Sequence, residues 1–385
     1  MKLSRGRWLL LLYGVSAVAA LVAAEAWVRL RSPYGHITPE SLRASTLRYS
    51  PAVFARHVFP REAVVAHPEA GRKDLRYVIN GKGYRGRDFE PKKPDGVIRA
   101  IVYGGSAAFD IYVSDPFDWP HRVEKELRDS GLTQVEIVNA GIPGHTSSDS
   151  VGRYFAEGHT FQPDIVLLYE GWNDLKFFGS STPLLRQAAP YVEQEDPRLV
   201  YRNAVDRWLG EASQLYVRLR HRYYEYRLRP TVEGARASTQ ANAVSPEALR
   251  QYRLTLEVFV DIARRTGAIP VLMTQARLVR TDNTAEEKDR IGYEIQPLAA
   301  VALPAAFQHL DATIVDVATV NRVDWIDAGA AVASSSDFVD HVHLSDAGSV
   351  RLSRVTAAAL RPIVERVLRE RAVVARNNVT SRPRE

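Results

Sequence analysis

Five short, largely apolar runs, each bounded by turn residues, constrain this chain more than any other feature. They occupy residues 98–103, 135–138, 165–169, 269–273 and 313–317. Runs of this length, apolar on both faces, suit buried strands of a parallel sheet. Helical patterns lie between them, at 119–129, 148–157, 246–266 and 292–308, and a last one covers 346–371. Such alternation predicts an α/β domain with a five-stranded parallel sheet between two layers of helices. No internal repeat is visible.

The chain has 385 residues and no cysteine. Disulfide frameworks, thiolate metal sites, iron–sulfur clusters and a cysteine nucleophile are therefore excluded. Its 51 Lys+Arg against 45 Asp+Glu leave a net charge of +6. That excess is too mild for a dedicated nucleic-acid binder unless it gathers on one face. Lys2, Arg5 and Arg7 precede an uncharged run from Trp8 to Ala24. As a helix the run spans about 26 Å, close to the hydrocarbon core of a bilayer. Trp8 and Trp27 would mark the two interfaces. The small residues Val22, Ala23 and Ala24 also offer a cleavage site, but the run is longer than the core of a typical signal peptide. An uncleaved anchor is the favoured reading, although Arg29 and Arg31 beyond the span weaken its orientation signal. Either way the bulk of the chain lies outside the cytoplasm, periplasmic or at the cell surface, and is secreted if the segment is cleaved.

The expected organisation is an anchor over 1–31, an irregular connecting arm over 32–96, a main α/β domain over 97–372 and a basic tail over 373–385. A helical insertion at about 177–245 interrupts the main domain. Within it, residues 201–229 carry Val205, Trp208, Leu209, Ala212, Leu215, Tyr216, Leu219 and Tyr223 at helical spacing, together with seven arginines. This predicts one amphipathic helix. It either packs on the core with a solvated basic face or acts as a lid or interfacial helix against anionic lipid or an acidic glycan.

The chemistry-bearing residues follow the strands. After the first comes Gly104-Gly105-Ser106, after the second Gly141-Ile142-Pro143-Gly144-His145, and after the third Glu170-Gly171-Trp172-Asn173-Asp174. Before the last helix stands Asp340-His341-Val342-His343. In an open parallel sheet, ligands bind at the carboxyl ends of the strands, so these segments converge on one site. A serine hydroxyl needs an adjacent base to act as a nucleophile near neutral pH. A histidine serves if a carboxylate holds its other nitrogen. Asp340 lies three residues before His343, within reach of a single turn, whereas adjacent side chains diverge. Each residue also has a plainer reading: Ser106 as a helix cap, Asn173 as a turn residue, Gly144 as the end of a strand. Asp340, His341 and His343 could also form a metal cluster, though zinc catalysis wants three ligands and an open position. His145 is a minor candidate for the pocket lining.

In these four blocks, taken in order over roughly residues 98 to 360, the chain resembles the SGNH hydrolases, the GDSL-type lipase/esterase family, in a membrane-anchored extracytoplasmic branch. The resemblance implies a flavodoxin-like fold and an ester hydrolase working through an acyl-serine intermediate without metal or organic cofactor. It implies Ser106 as nucleophile, Asp340 and His343 as the rest of the triad, and an oxyanion hole from Ser106, Gly144 and Asn173. Gly105 stands where the family's namesake motif has Asp, which alters local hydrogen bonding. The segment Asn80-Gly81-Lys82-Gly83-Tyr84-Arg85-Gly86 resembles one that often precedes the serine block in exported members; a plain turn also explains its glycines. The expected substrate is an acylated glycan or a lipid ester. Two rival functions remain: an O-acyltransferase (O-acetyltransferase) modifying an exported polysaccharide, and a non-catalytic membrane-anchored scaffold in envelope assembly. An intact triad argues against the scaffold.

Overall fold

A computed structural model describes residues 5–31, 62–67, 72–178, 201–237, 240–293 and 296–380. In chain order its main elements are α1 (Arg5–Arg31), β1 (Glu62–His67), β2 (Arg72–Val78), β3 (Ile98–Gly104), α2 (Trp119–Asp129), β4 (Val135–Asn139), α3 (Ser147–Ala156) and β5 (Ile165–Tyr169). They continue with α4 (Ala204–Ala212), α5 (Gln214–Ala237), α6 (Pro246–Arg265), β6 (Ile269–Met273), α7 (Leu303–Asn321), β7 (Asp324–Ile326) and α8 (Asp346–Thr380). The chain divides into two compact units, one formed by residues 1–46 and 190–235, the other by 47–189 and 236–385.

The larger unit is built on a five-stranded sheet of order β4-β3-β5-β6-β7, all pairs parallel. This is the flavodoxin-like order, with its switch point between β3 and β5. Every residue of β3 and β5 is buried, which is what strands covered on both faces require. Helices α2 and α8 pack together, as do α3, α6 and α7, and these two groups make the outer layers. The register pairs Gly104 with Tyr169 and Val102 with Asn139. The segments after β3, β4 and β5 therefore leave the sheet side by side.

The fifth strand corrects the sequence reading. Residues 313–317 are not a strand but the middle of α7, where Leu303, Phe307, Leu310, Ile314 and Val317 are buried at helical spacing. The β-branched residues there suggested a strand, but the apolar period continues over the whole helix. The edge strand is Asp324–Ile326, only three residues long, with Asp324 and Trp325 exposed. The pattern at 292–308 is also only partly helical: residues 294–295 lie outside the described residues, and α7 starts at Leu303 with Pro304 in its first turn. Just before it, Leu298 pairs with Ala241. At the carboxyl end, α8 runs on to Thr380 past the expected helix end. Most of the expected tail thus continues this helix, and 381–385 lie outside the described residues.

Of the connecting arm, residues 32–61 lie outside the described residues, and β1 and β2 form an antiparallel pair. Beyond β2, Asn80 Oδ1 accepts the backbone N–H groups of Lys82 and Tyr84, each at 3.0 Å. That side-chain turn aims the buried Arg85 guanidinium at the carbonyls of Asp110 (3.0 Å) and Val113 (2.5 Å), at the Phe109 carbonyl, and at Asp115 (2.7 Å). Arg85 thereby fastens the loop that follows Ser106.

The smaller unit contains α1, α4 and α5. Among the described residues, one helical segment, Leu11–Arg31, is long and apolar enough to cross a membrane. The expected single amphipathic helix over 201–229 is instead two helices, α4 and α5, broken at Ser213. Ser213 adopts an extended conformation there, so the chain turns before α5 begins.

Candidate active site

Ser106 opens a single helical turn, Ser106–Phe109, directly after β3, with Gly105 as its N-cap. Gly105 explains the departure from the family's Asp. A Cβ at this position would stand 2.7 Å from Asn173 Nδ2, 3.1 Å from the His145 carbonyl and 3.3 Å from a Glu170 oxygen. Any side chain here would push the Asn173 amide out of place. Gly144 has φ +89°, a conformation that favours glycine. It lies in a turn closed by the His145 N–H to the Ile142 carbonyl at 3.0 Å. Thr146 then caps α3 reciprocally with Asp149, a capping box that sets where the helix begins.

The structure brings Ser106, His343 and Asp340 together. His343 Nε2 lies 2.6 Å from Ser106 Oγ, and His343 Nδ1 lies 2.6 Å from Asp340 Oδ2. The other Asp340 oxygen accepts the backbone N–H groups of Val342 (3.1 Å) and His343 (2.9 Å). The carboxylate is thereby fixed on the same turn as the imidazole it faces. Burial alone would raise the Asp340 pKa, but His343, His341 and these hydrogen bonds hold it well below the usual carboxylate range. An ionised Asp340 keeps the proton on Nδ1 and leaves Nε2 free to accept one from Ser106.

His341 has no such geometry. Its ring lies 4.0 Å from the Trp172 ring, centroid to centroid, and its Nδ1 is buried without a hydrogen bond among the described residues. Burial lowers its pKa to about 4, so it is neutral near pH 7. His145 is likewise buried, with its pKa lowered by burial to about 4, and its carbonyl accepts from Asn173 Nδ2 at 2.8 Å. Asn173 thus spends one amide proton on the loop after β4 and keeps another. Among the described residues none accepts the backbone N–H of Ser106 or of Gly144.

Asp340, His341 and His343 bring three possible ligand atoms within 4.8 Å of one another. Both His343 nitrogens are already engaged, so a cation would have to displace Ser106 or take Asp340 from the imidazole. A second group, Asp115, Asp118 and His121, is also close enough for a metal. It already surrounds the Arg85 guanidinium, whose Nε lies 2.7 Å from Asp115 and 3.8 Å from Asp118. A metal there would compete with a fixed positive charge.

Three neighbours of the site escaped the sequence reading. Tyr112 donates to Asp340 Oδ2 at 3.2 Å and sets its ring edge-on to His343 at 5.3 Å. Glu170 accepts from Ser150 Oγ at 2.8 Å, and burial pushes its pKa well above the usual range. Asp174 accepts from Ser147 Oγ at 2.6 Å and is raised by burial to about 7. Glu170 and Asp174 stand in the segment that follows β5, but nothing in its sequence says that both carboxyls turn inward.

The sequence over residues 101–351, well over half of the chain, matches the GDSL-like lipase/acylhydrolase family. The chain belongs to that family. It is accordingly a carboxylic ester hydrolase. Solved structures similar to this GDSL-like hydrolase include an acetyl xylan esterase (16% identity, 68% of this chain and 100% of the other, TM-score 0.41). Others are a variant of an acetyl xylan esterase from Geobacillus stearothermophilus (14%, 70% and 97%, TM-score 0.41) and a lipase/acylhydrolase from Enterococcus faecalis (14%, 69% and 96%, TM-score 0.39). No curated protein matches the chain.

Proposed function

We propose that this hydrolase cleaves an acylated glycan or a lipid ester outside the cytoplasm, held at the membrane by α1 as an uncleaved anchor. The observation that carries the chemistry is the unbroken line Ser106 Oγ–His343–Asp340, with 2.6 Å at each step. Ser106 Oγ attacks the ester carbonyl carbon while its proton passes to His343 Nε2. The tetrahedral oxyanion accepts hydrogen bonds from the N–H groups of Ser106 and Gly144 and from the remaining Asn173 amide proton. Loss of one such donor typically costs about 2.7–4 kcal/mol of transition-state stabilisation. Collapse breaks the bond to the leaving alkoxide, which takes the proton from His343, and leaves an acyl ester on Ser106. Water then adds to that ester with His343 as base, releasing the carboxylic acid and restoring the serine.

The anchor reading is supported by the apolar stretch of α1 and the cationic residues before it. The full-length protein tests both halves of the proposal. Turnover is measured on p-nitrophenyl esters from acetyl to palmitoyl, with and without sugar acceptors, after carbonate washing of membranes. Hydrolysis at a rate indifferent to acceptor, by protein that stays in the pellet, is expected. Acyl transfer to sugar in preference to water overturns hydrolysis, and a soluble mature chain beginning near Glu25 overturns the anchor.

A further inference from the structure

The two insertion helices leave much of their apolar stripe exposed, although Leu209, Leu215 and Tyr216 are half-buried. On α4, Val205, Trp208, Leu209 and Ala212 follow the spacing of an apolar helix face, yet Val205 is 64% and Trp208 65% exposed. What α4 buries is Asp206 and Gly210. On α5, Leu219 (60%), Tyr223 and Tyr226 (77%) face outward, while Val217, Arg220 and Tyr224 are buried. The inward polar groups are satisfied: Arg220 meets the two Asp206 oxygens at 2.7 and 2.9 Å, and the Tyr216 hydroxyl donates to Asp206 at 2.7 Å. An apolar face outside and a closed ion pair inside is the reverse of what water favours.

The same unit fixes where these helices stand along α1. Glu25, the first charged residue after the uncharged run Trp8–Ala24, accepts from the Ser213 hydroxyl (2.8 Å) and from the N–H groups of Gln214 and Leu215 (2.9 Å each). It therefore satisfies donors that the first turn of α5 leaves open. Arg29 ties the joint from the other side, reaching Glu25 at 2.6 Å and the Ala212 carbonyl at 2.9 Å. A helix that starts at the end of a membrane span starts at headgroup level. Trp and Tyr side chains favour that level, and cations beside them meet anionic headgroups. Arg207, Arg218 and Arg222 are exposed on the same two helices.

We propose that α4 and α5 lie in the interfacial layer of the bilayer that α1 spans, with Val205, Trp208, Leu219, Tyr223 and Tyr226 against lipid and the three arginines on anionic headgroups. This rests on reading α1 as an anchor. The occupant is a lipid surface because apolar and cationic side chains alternate on helices joined to a membrane span, as the headgroup boundary requires.

The absence of cysteine makes the test direct. Full-length Val18→Cys, Leu219→Cys and Val301→Cys variants are labelled with an environment-sensitive dye. Each is reconstituted into vesicles of phosphatidylcholine alone or mixed with phosphatidylglycerol, with nitroxide-bearing lipid as quencher. Val18 reports the span, Leu219 the insertion, and Val301 an exposed site on the larger unit. Quenching of most of the emission at 18 and at 219 is expected, with 301 as the reference for an exposed site on the larger unit. At 219 it should be several-fold stronger with the anionic lipid, and should weaken there alone when Arg207, Arg218 and Arg222 are changed to Glu. Quenching at 18 but not at 219 overturns the interfacial assignment and leaves the anchor standing. Quenching at neither position overturns both. Protection of 219 by a second copy of the chain, seen as dye self-quenching without nitroxide, also overturns the lipid assignment.

Discussion

Helices α6 and α4 carry the same code and use it in opposite directions. On α6, Tyr252, Leu256, Phe259, Val260 and Ala263 recur at three- and four-residue spacing, and all are buried. On α4, Val205, Trp208 and Ala212 recur at the same spacing, and all are exposed. Periodicity therefore says that a helix owns an apolar face, not what that face meets. The partner is decided elsewhere, on the larger unit by a five-stranded sheet that needs covering. The larger unit also spends its buried polar groups differently. Around Ser106, Asp340 faces His343 and Asn173 holds the His145 carbonyl, whereas Asp206 and Arg220 neutralise one another.

Substitutions that separate the two units test this contrast. The largest effect is expected in the larger unit. His343→Ala should lower kcat by several orders of magnitude, and Asp340→Asn by about four, the latter by admitting the wrong imidazole tautomer. Neither should change recovery in the membrane fraction. His341→Gln should leave kcat within about tenfold, because it removes no bond to Ser106. Steady-state kinetics on a soluble ester decides, and an inactive His341→Gln beside an active His343→Ala would reverse the assignment.

A smaller effect separates the two apolar faces. Leu167 is wholly buried in β5, and Leu167→Ala should cost about 2–5 kcal/mol of stability through the cavity it leaves. Leu219→Ala should stay within about 0.5 kcal/mol in unfolding of the smaller unit, which holds α5, followed in the full-length protein, as surface changes do. Comparable losses from the two substitutions would mean that Leu219 is a core residue and that the inside-out reading is wrong.

The sheet was legible because four of its strands are short, largely apolar runs. The fifth was not, since a three-residue edge strand has too little pattern to stand out beside the β-branched middle of α7. Within the candidate site, the three-residue spacing from Asp340 pointed to His343 over His341, and the distances place His343 against Ser106. Gly105 in place of Asp was visible, but its reason was not: only the fold brings Asn173 Nδ2 to within 2.7 Å of the missing Cβ. Tyr112, Glu170 and Arg85 stayed silent for the same cause, because burial and cross-loop contacts are tertiary facts. The break at Ser213 was hidden by an apolar pattern that runs through it, while the capping carboxylate sits far away in sequence at Glu25.

The central claim is that the Ser106 hydroxyl is activated by His343 on its Asp340 hinge. The most direct measurement is the site and rate of fluorophosphonate labelling of the full-length protein, read by intact mass and peptide mapping. The account predicts one adduct per chain, on Ser106, absent from Ser106→Ala and formed far more slowly in His343→Ala. An adduct of undiminished yield in Ser106→Ala, or labelling of the parent protein at another residue, would contradict it.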